Sequence, residues 1–240
     1  MVDRKNLATV WLQEFNHPLP QVVLTFIMVD ANIVEGRHTA SDFDVNDLDS
    51  PEWSEATPVQ IDHYWSGEPA PIGRHAEARI LWSEQALYIR YICNQAEPLV
   101  INDHPQTITK TMYLWDRDVC EIFIAPDSNI VEKYFEFEVA PTGEWLDIGL
   151  DWTTGKRQSD WQFSSRMATA GRIEKNRVTM AMRIPWNKRL PAPEKGERRR
   201  ANLFRCVGRD PKLRYLSWQP TRTPHPFFHV PEAFGWLVFS

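Results

Sequence analysis

The sequence predicts an all-β fold, a β-sandwich of jelly-roll or immunoglobulin-like type with two mainly antiparallel sheets. Three observations carry that expectation. Apolar residues recur at every second position in a series of short segments, as they do when one face of a strand meets a core. The breaks between those segments are rich in Pro, Gly, Asp and Asn, with 18 Pro and 10 Gly spread over 240 residues, a density that suits frequent turns. No convincing stretch repeats with the 3.6-residue period of a helix.

Residues 1–41 fit neither period and read as a lead-in that packs on or extends the domain, with one added strand at Val22–Val29. Residues 42–240 read as the domain itself. Strands are expected at Val59–Tyr64, Ala76–Trp82, Ala86–Cys93, Val119–Ala125, Tyr134–Ala140 and Trp145–Leu150. Further strands are expected at Gln162–Thr169, Arg177–Ile184, Ala201–Gly208, Tyr215–Trp218 and Trp236–Phe239. The charged run Glu194–Arg200 reads as a solvated loop, the usual state of mixed-sign surface charge, or as a phosphate contact.

The strands on either side of residue 130 are the most informative. Cys120, Ile122 and Ile124 form one apolar stripe, and Phe135, Phe137 and Val139 form another. The opposite faces carry Glu121 with Val119 and Phe123, and Glu136 and Glu138 with Tyr134. A sheet of this kind presents carboxylates beside aromatic rings without opening its core, as a site for a polar, ring-shaped ligand requires. Arg90, on the outward face of its own strand, is a candidate cross-strand neighbour of Glu121.

Composition narrows the partners. A net charge of −5 supplies no field to attract nucleic acid or an anionic membrane. The longest early apolar run, Val22–Val29, is too short to span a bilayer. The N-terminus shows no clean signal peptide, so a cytoplasmic location is the default, with export following if a signal was trimmed. Three cysteines, Cys93, Cys120 and Cys206, form an odd set without paired spacing and read as buried thiols. The 11 Trp exceed what a core needs, so some are expected at a binding surface. The sequence sets no oligomeric state.

The order of the local signals points further. D-L-D-S-P-E-W-S-E-A precedes the hairpin A-R-I-L-W-S-E-Q-A-L-Y-I-R-Y, followed by L-W-D-R-D-V-C-E-I-F-I-A-P and Y-F-E-F-E-V-A-P-T-G-E. V-T-M-A-M-R-I-P-W, R-A-N-L-F-R, W-Q-P-T and F-F-H-V-P-E-A-F-G-W-L-V-F come next. This succession, over about residues 42–240, resembles the family 9 carbohydrate-binding modules within the wider DOMON-like group. The resemblance implies a jelly-roll sandwich that binds a mono- or oligosaccharide between two aromatic rings, without catalysis and with structural calcium in some members. It puts the first stacking ring on Trp115 and the hydroxyl acceptor on Glu121, with Asp118 in the loop before it.

The chain departs from the family at two places. Where a second Trp is expected, before the last strand, the sequence reads H-P-F-F-H-V-P-E-A-F-G, so that Phe228 or Phe227 would serve, beside His229. Glu138 stands where sugar-binding examples carry an Arg. The physics of the site agrees with the resemblance, because a pyranose ring exposes C–H patches to a flat aromatic surface and hydroxyls to ionised carboxylates.

Several residues admit more than one reading. Trp115 stacks on ligand or plugs the end of the sandwich. Trp218 contacts ligand or packs beneath the loops, while Trp82 and Trp186 read as core or edge. Asp118 with Glu121 is the carboxylate pair that a glycoside hydrolase would need. Asp44, Asp47 and Asp49 offer oxygen donors for a calcium ion or form a solvated turn. Met180 and Met182 would serve a haem-carrying redox domain of the same architecture, although they share the core face of their strand. His225 and His229 have a zinc-like spacing that Pro226 and Pro231 deny to a helix. Asn202 and Arg205 read as buttresses of the site loops. The nucleophile elbow, phosphate loop, CxxC pair and HExxH motif are absent from the sequence.

Overall fold

A computed structural model of the chain describes residues 32–40 and 42–240; the strand expected at Val22–Val29 lies outside them. Two mainly antiparallel sheets face each other. The front sheet runs, in spatial order, through β14 (Gly235–Phe239), β12 (Arg198–Cys206), β6 (Val119–Ile124), β7 (Lys133–Val139), β8 (Trp145–Asp151) and β9 (Gln158–Asp160). β13 (Tyr215–Ser217) pairs with the end of β12 and with β3 (His63–Tyr64). The back sheet runs through β10 (Ala168–Glu174), β11 (Arg177–Pro185), β5 (Ala86–Asn94) and β4 (Ala76–Trp82), with β2 (Val59–Ile61) beside β4.

β1 (Ile33–His38) joins the two sheets. Its first residues pair in parallel with β14, from Ile33 opposite Trp236 to Gly36 opposite Phe239. Its last two pair in parallel with β4, Arg37 opposite Leu81 and His38 opposite Trp82. This strand lies in the segment read as lead-in, where a glycine and alternating charges hide its period.

The alternation seen in the sequence builds the core. Ile80, Ile89, Tyr91, Ile122, Phe137, Met180, Met182, Leu203 and Leu237 are all buried between the sheets. Burying a side chain such as Ile122 or Phe137 contributes roughly 1.5–3 kcal/mol. Met180 and Met182 are packing residues of this core, as their shared face predicts, and the haem reading loses its ligands. The three thiols are free and buried.

Each sheet is also covered on its outer face. Over the back sheet, the 42–56 segment seats Trp53, fully buried, with Val45 and Leu48 against Leu81, Tyr88 and Ala181. Over the front sheet, loops bring Leu114, Phe228 and Phe234 against Val119, Phe123, Tyr134 and Phe204. Among the described residues no helix is long and apolar enough to cross a membrane.

Two expectations need correction, and one short strand was not expected. The strand expected at Gln162–Thr169 starts only at Ala168; Arg166 takes a left-handed φ of 60°, and the residues before it form a loop that carries Trp161 and Phe163. β9 is too short to show a period. β12 begins at Arg198, inside the charged run read as a loop. Arg199 is buried there with its guanidinium over Trp186 and Phe239, at 5.6 and 5.3 Å, while Arg198 and Arg200 lie over Trp236 at 4.6 and 5.0 Å. Arginines that stack on aromatic rings continue a strand as apolar residues would.

Candidate functional site

The outer face of the front sheet opens into a cavity of about 250 Å³. Its floor is sheet: Glu121 and Phe123 from β6, Glu136 from β7, Ile148 and Leu150 from β8, and Cys206 from the end of β12. Its walls are loops, bringing Trp115 from one side, Arg157 and Trp161 from another, and Pro226 to His229 from a third. Two of these rings keep a large exposed fraction, Trp161 at 36% and Phe227 at 40%. Trp115 is half-buried and faces Trp161 at a centroid distance of 6.2 Å, with the planes tilted by 36°.

Local structure holds these rings in place. Trp115 sits in a 3-10 turn, Leu114–Asp116, entered through Tyr113 at φ 59° and ψ 35°. A bulky side chain in that left-handed conformation is strained, and such strain persists only where surroundings over-determine it. Arg214 supplies the restraint, donating to the carbonyls of Trp115 at 3.0 Å, Asp116 at 3.2 Å and Arg117 at 2.7 Å. Arg117 is itself paired with buried Glu144 at 3.4 Å. On the other wall, Lys110 pairs with buried Asp147 at 2.6 Å and donates to the carbonyls of Trp161 at 3.3 Å and Phe163 at 2.6 Å. Asp147 also accepts from the backbone N–H and hydroxyl of Ser165, at 2.6 and 2.7 Å.

The floor is electrostatically unusual. Glu121 stands directly opposite Glu138 across β6 and β7, and Glu136 lies one pleat along on the same face. All three are buried, at 2%, 0% and 5% exposure for Glu121, Glu138 and Glu136. Burial pushes the Glu136 carboxyl up to about 7. Burial, and then the charge of Glu136, pushes Glu121 well above the carboxylate range. Burial followed by the charges of Glu121 and Glu136 does the same to Glu138, whose two carboxyl oxygens have no hydrogen-bond partner. Burial thus favours their protonated forms, and a protonated carboxyl can donate as well as accept hydrogen bonds.

Of the residues expected at the site, Trp115, Glu121, Phe228 and His229 line the cavity. Phe228 is buried and stacked on Phe204 at 4.0 Å, so the exposed ring of that loop is its neighbour Phe227. His229 stacks on Phe123 at 5.2 Å and shares a 2.9 Å hydrogen bond with the Tyr134 hydroxyl. Burial, with a smaller contribution from Arg157, lowers its pKa to about 3, which leaves the imidazole neutral. Glu138 lies on the same face but does not line the cavity.

The remaining expected residues lie elsewhere. Arg90 belongs to the back sheet, opposite Arg79 and Ala181, and is not a cross-strand neighbour of Glu121. Its guanidinium covers Trp53 at 5.2 Å and donates to the Leu48 carbonyl. A period of two assigns a face but not a sheet. Asp118 is buried on the other side of its chain from Glu121, accepting from Gly208 N–H at 2.8 Å and Gln95 at 3.2 Å. It does not line the cavity, and the hydrolase pair Asp118 and Glu121 is not brought together. Trp218 belongs to the core between the sheets, pressed so closely on Gly235 that a Cβ there would lie 2.5 Å from its ring. Asn202 braces the backbone at Gln219, and Arg205 braces that at Arg74 and His75, away from the cavity.

Of Asp44, Asp47 and Asp49, the residues expected for calcium, two have partners within the protein. Asp44 accepts from the backbone and side chain of Asn46, and Asp49 takes a bidentate pair from Arg172 at 2.6 and 2.8 Å. Among the described residues no group of three or more His, Cys, Asp or Glu side chains is arranged to hold a metal ion.

Sequence reasoning placed Glu136 on the right face without assigning it to a site, and it missed Trp161 and Arg157. Trp161 directly follows the short strand β9 and precedes a misplaced strand, so no period marks it. An aromatic residue standing alone in a polar stretch, R-Q-S-D-W-Q, is the signal that was present.

A rigid wall of aromatic rings above buried carboxyls suits a ligand with both C–H and O–H surface. A family model described as carbohydrate-binding family 9 matches residues 56–239. No curated protein matches the chain. Among solved structures, one from Bacteroides uniformis, described as a candidate carbohydrate-binding protein, superposes with a TM-score of 0.68 at 16% identity, covering 87% of this chain and 99% of the other. A family 9 carbohydrate-binding module from Caldicellulosiruptor kristjanssonii in complex with glucose gives 0.55 at 14% identity, covering 87% and 95%. The module from that organism in complex with cellotriose gives 0.54 at 14% identity, covering 87% and 93%. These likenesses show the sandwich fold.

Proposed function

This chain belongs to carbohydrate-binding family 9, and on that premise we propose that the cavity of the front sheet is its saccharide site. The observation that carries the reading is the junction of exposed rings and buried carboxyls in one small cavity. Trp115, Trp161 and Phe227 offer apolar surface to the C–H faces of a sugar ring, and Glu121 and Glu136 meet its hydroxyls from below. At about 250 Å³ the space lies just under the ~300–1,000 Å³ of pockets for drug-sized ligands, which suits one or two sugar units rather than a long chain threaded through. The glucose complex of a neighbouring structure is of that size, and the cellotriose complex is one unit longer.

The activity is binding without turnover, carried by residues 42–240 together with β1. Calorimetric titration with glucose and cellotriose, followed by product analysis, tests it. Heat of binding with unchanged saccharide is expected, whereas cleavage of cellotriose on long incubation would show an enzyme. Trp115→Ala is expected to weaken binding at least tenfold, about 1.4 kcal/mol, with the fold retained, because the ring is half-buried at a loop. Unfolding of that variant, or undiminished binding, would remove Trp115 from the site.

A further inference from the structure

We propose that the preferred ligand is an amino sugar, a hexosamine unit whose ammonium group supplies the cation that the floor of the cavity lacks. The proposal rests on the saccharide reading and deepens it. Other buried acids of the front sheet have cationic partners: Asp147 has Lys110 at 2.6 Å, and Glu144 has Arg117 at 3.4 Å. Glu121, Glu136 and Glu138 have no Lys or Arg within ion-pair distance among the described residues. Both oxygens of Glu138 are buried and unpartnered. The basic group closest to an ion pair with them is His229, 4.0 Å from Glu136, and it is neutral.

The charged and titratable groups around the cluster do not fill this gap. Arg214 is near enough to lower the pKa of Glu121, but its guanidinium is tied to the carbonyls of Trp115, Asp116 and Arg117. Arg157 influences Glu136 from the exposed rim. Asp116 adds negative charge beside Glu138, and the Cys206 thiol and the Tyr134 hydroxyl stay neutral in their buried positions. A neutral sugar leaves the carboxyls holding their protons, since nothing offsets the cost of ionising them in a dry site. An ammonium seated against Glu121 and Glu136 lets them ionise, and the same cation lowers the cost of ionising Glu138 behind them. The rings overhead add to the selection, because an aromatic face attracts a cation as well as sugar C–H groups.

The binding event therefore releases protons. The test is calorimetry at about pH 6, where an amine is charged, in buffers of different ionisation heat. The panel holds glucosamine, N-acetylglucosamine, glucose, glucuronate and cellotriose. Glucosamine is expected to bind at least tenfold more tightly than glucose or N-acetylglucosamine, with proton release and with a preference that shrinks as salt rises. Glu138→Gln, an isosteric change that removes only the charge, is expected to lower the glucosamine-to-glucose affinity ratio about threefold. Should that variant not fold, the salt dependence and proton release of the wild type decide. Neutral sugars binding as tightly as glucosamine, or without a difference in proton release, would overturn the amine preference and leave the saccharide reading standing. Glucuronate binding most tightly would overturn it in favour of Arg157. Absence of binding to the whole panel would overturn both.

Discussion

Two sets of buried carboxyls occupy the same three strands and the loops between them, and they live in opposite electrostatic conditions. Glu144 and Asp147 are completely buried, yet each is matched by a cation and by neutral donors. Their partners, Arg117 and Lys110, adjoin the segments that carry Trp115 and Trp161. Glu121, Glu136 and Glu138 lie on β6 and β7 with no such cation among the described residues. The matched set fixes the walls of the cavity, and the unmatched set forms and backs its floor. Burial of an acid does not by itself tell structure from function in this sheet; the presence of an internal partner does.

The comparison can be broken most forcefully at Lys110. Lys110→Met strands the Asp147 carboxylate, and removing one partner of a buried pair costs about 3–5 kcal/mol. Denaturant unfolding is expected to register that loss, and a change below about 0.5 kcal/mol would mean that Ser165 alone satisfies Asp147.

A somewhat smaller effect tests the unmatched set. The folded pKa of Glu136 is raised from 4.5 to about 7, so over that window the native state holds the proton more firmly than the unfolded chain. Its stabilising contribution is complete below the unfolded value and is lost as pH rises through the folded one. Stability is expected to fall from pH 4.5 towards about 7 with a slope of up to about 1.4 kcal/mol per unit from this group. Glu136→Gln should flatten the slope in unfolding curves taken across that range; an unchanged slope would place the titration elsewhere.

The smallest effect is expected at the surface. Asp49 and Arg172 form a bidentate pair of good geometry but in solvent, where attraction is screened and side-chain ordering opposes it. Asp49→Asn is expected to leave the unfolding midpoint and saccharide binding unchanged. A clear loss of stability would extend the importance of internal pairing beyond buried acids.

Much of this was legible in the sequence, for reasons that differ by residue. The period of two put Ile122 and Phe137 in the core and Glu121, Glu136 and Glu138 on the outer face, because a pleat leaves no other choice. Trp115 was named through the family resemblance, which puts the first stacking ring there. The same period could not say which sheet Arg90 joins, since that depends on pairings distant in sequence. Nor could it find Trp161, which lines the cavity from a loop where its carbonyl is held by Lys110, 51 residues away along the chain. Arginine stacking hid the start of β12, because hydropathy counts Arg199 as polar while its ring contacts treat it as packing.

The strand that joins the two sheets also sets the order in which the molecule can be completed. β1 finds its long partner only at residues 236–239, far away along the chain. Contacts that span nearly the whole chain are entropically late and slow to form. Until that pairing forms, both sheets hold an open seam, and deleting β14 would leave β1 without its main partner while removing only a handful of residues. The vulnerable moment in folding is the interval before β1 and β14 meet, when two unpaired edges are exposed together.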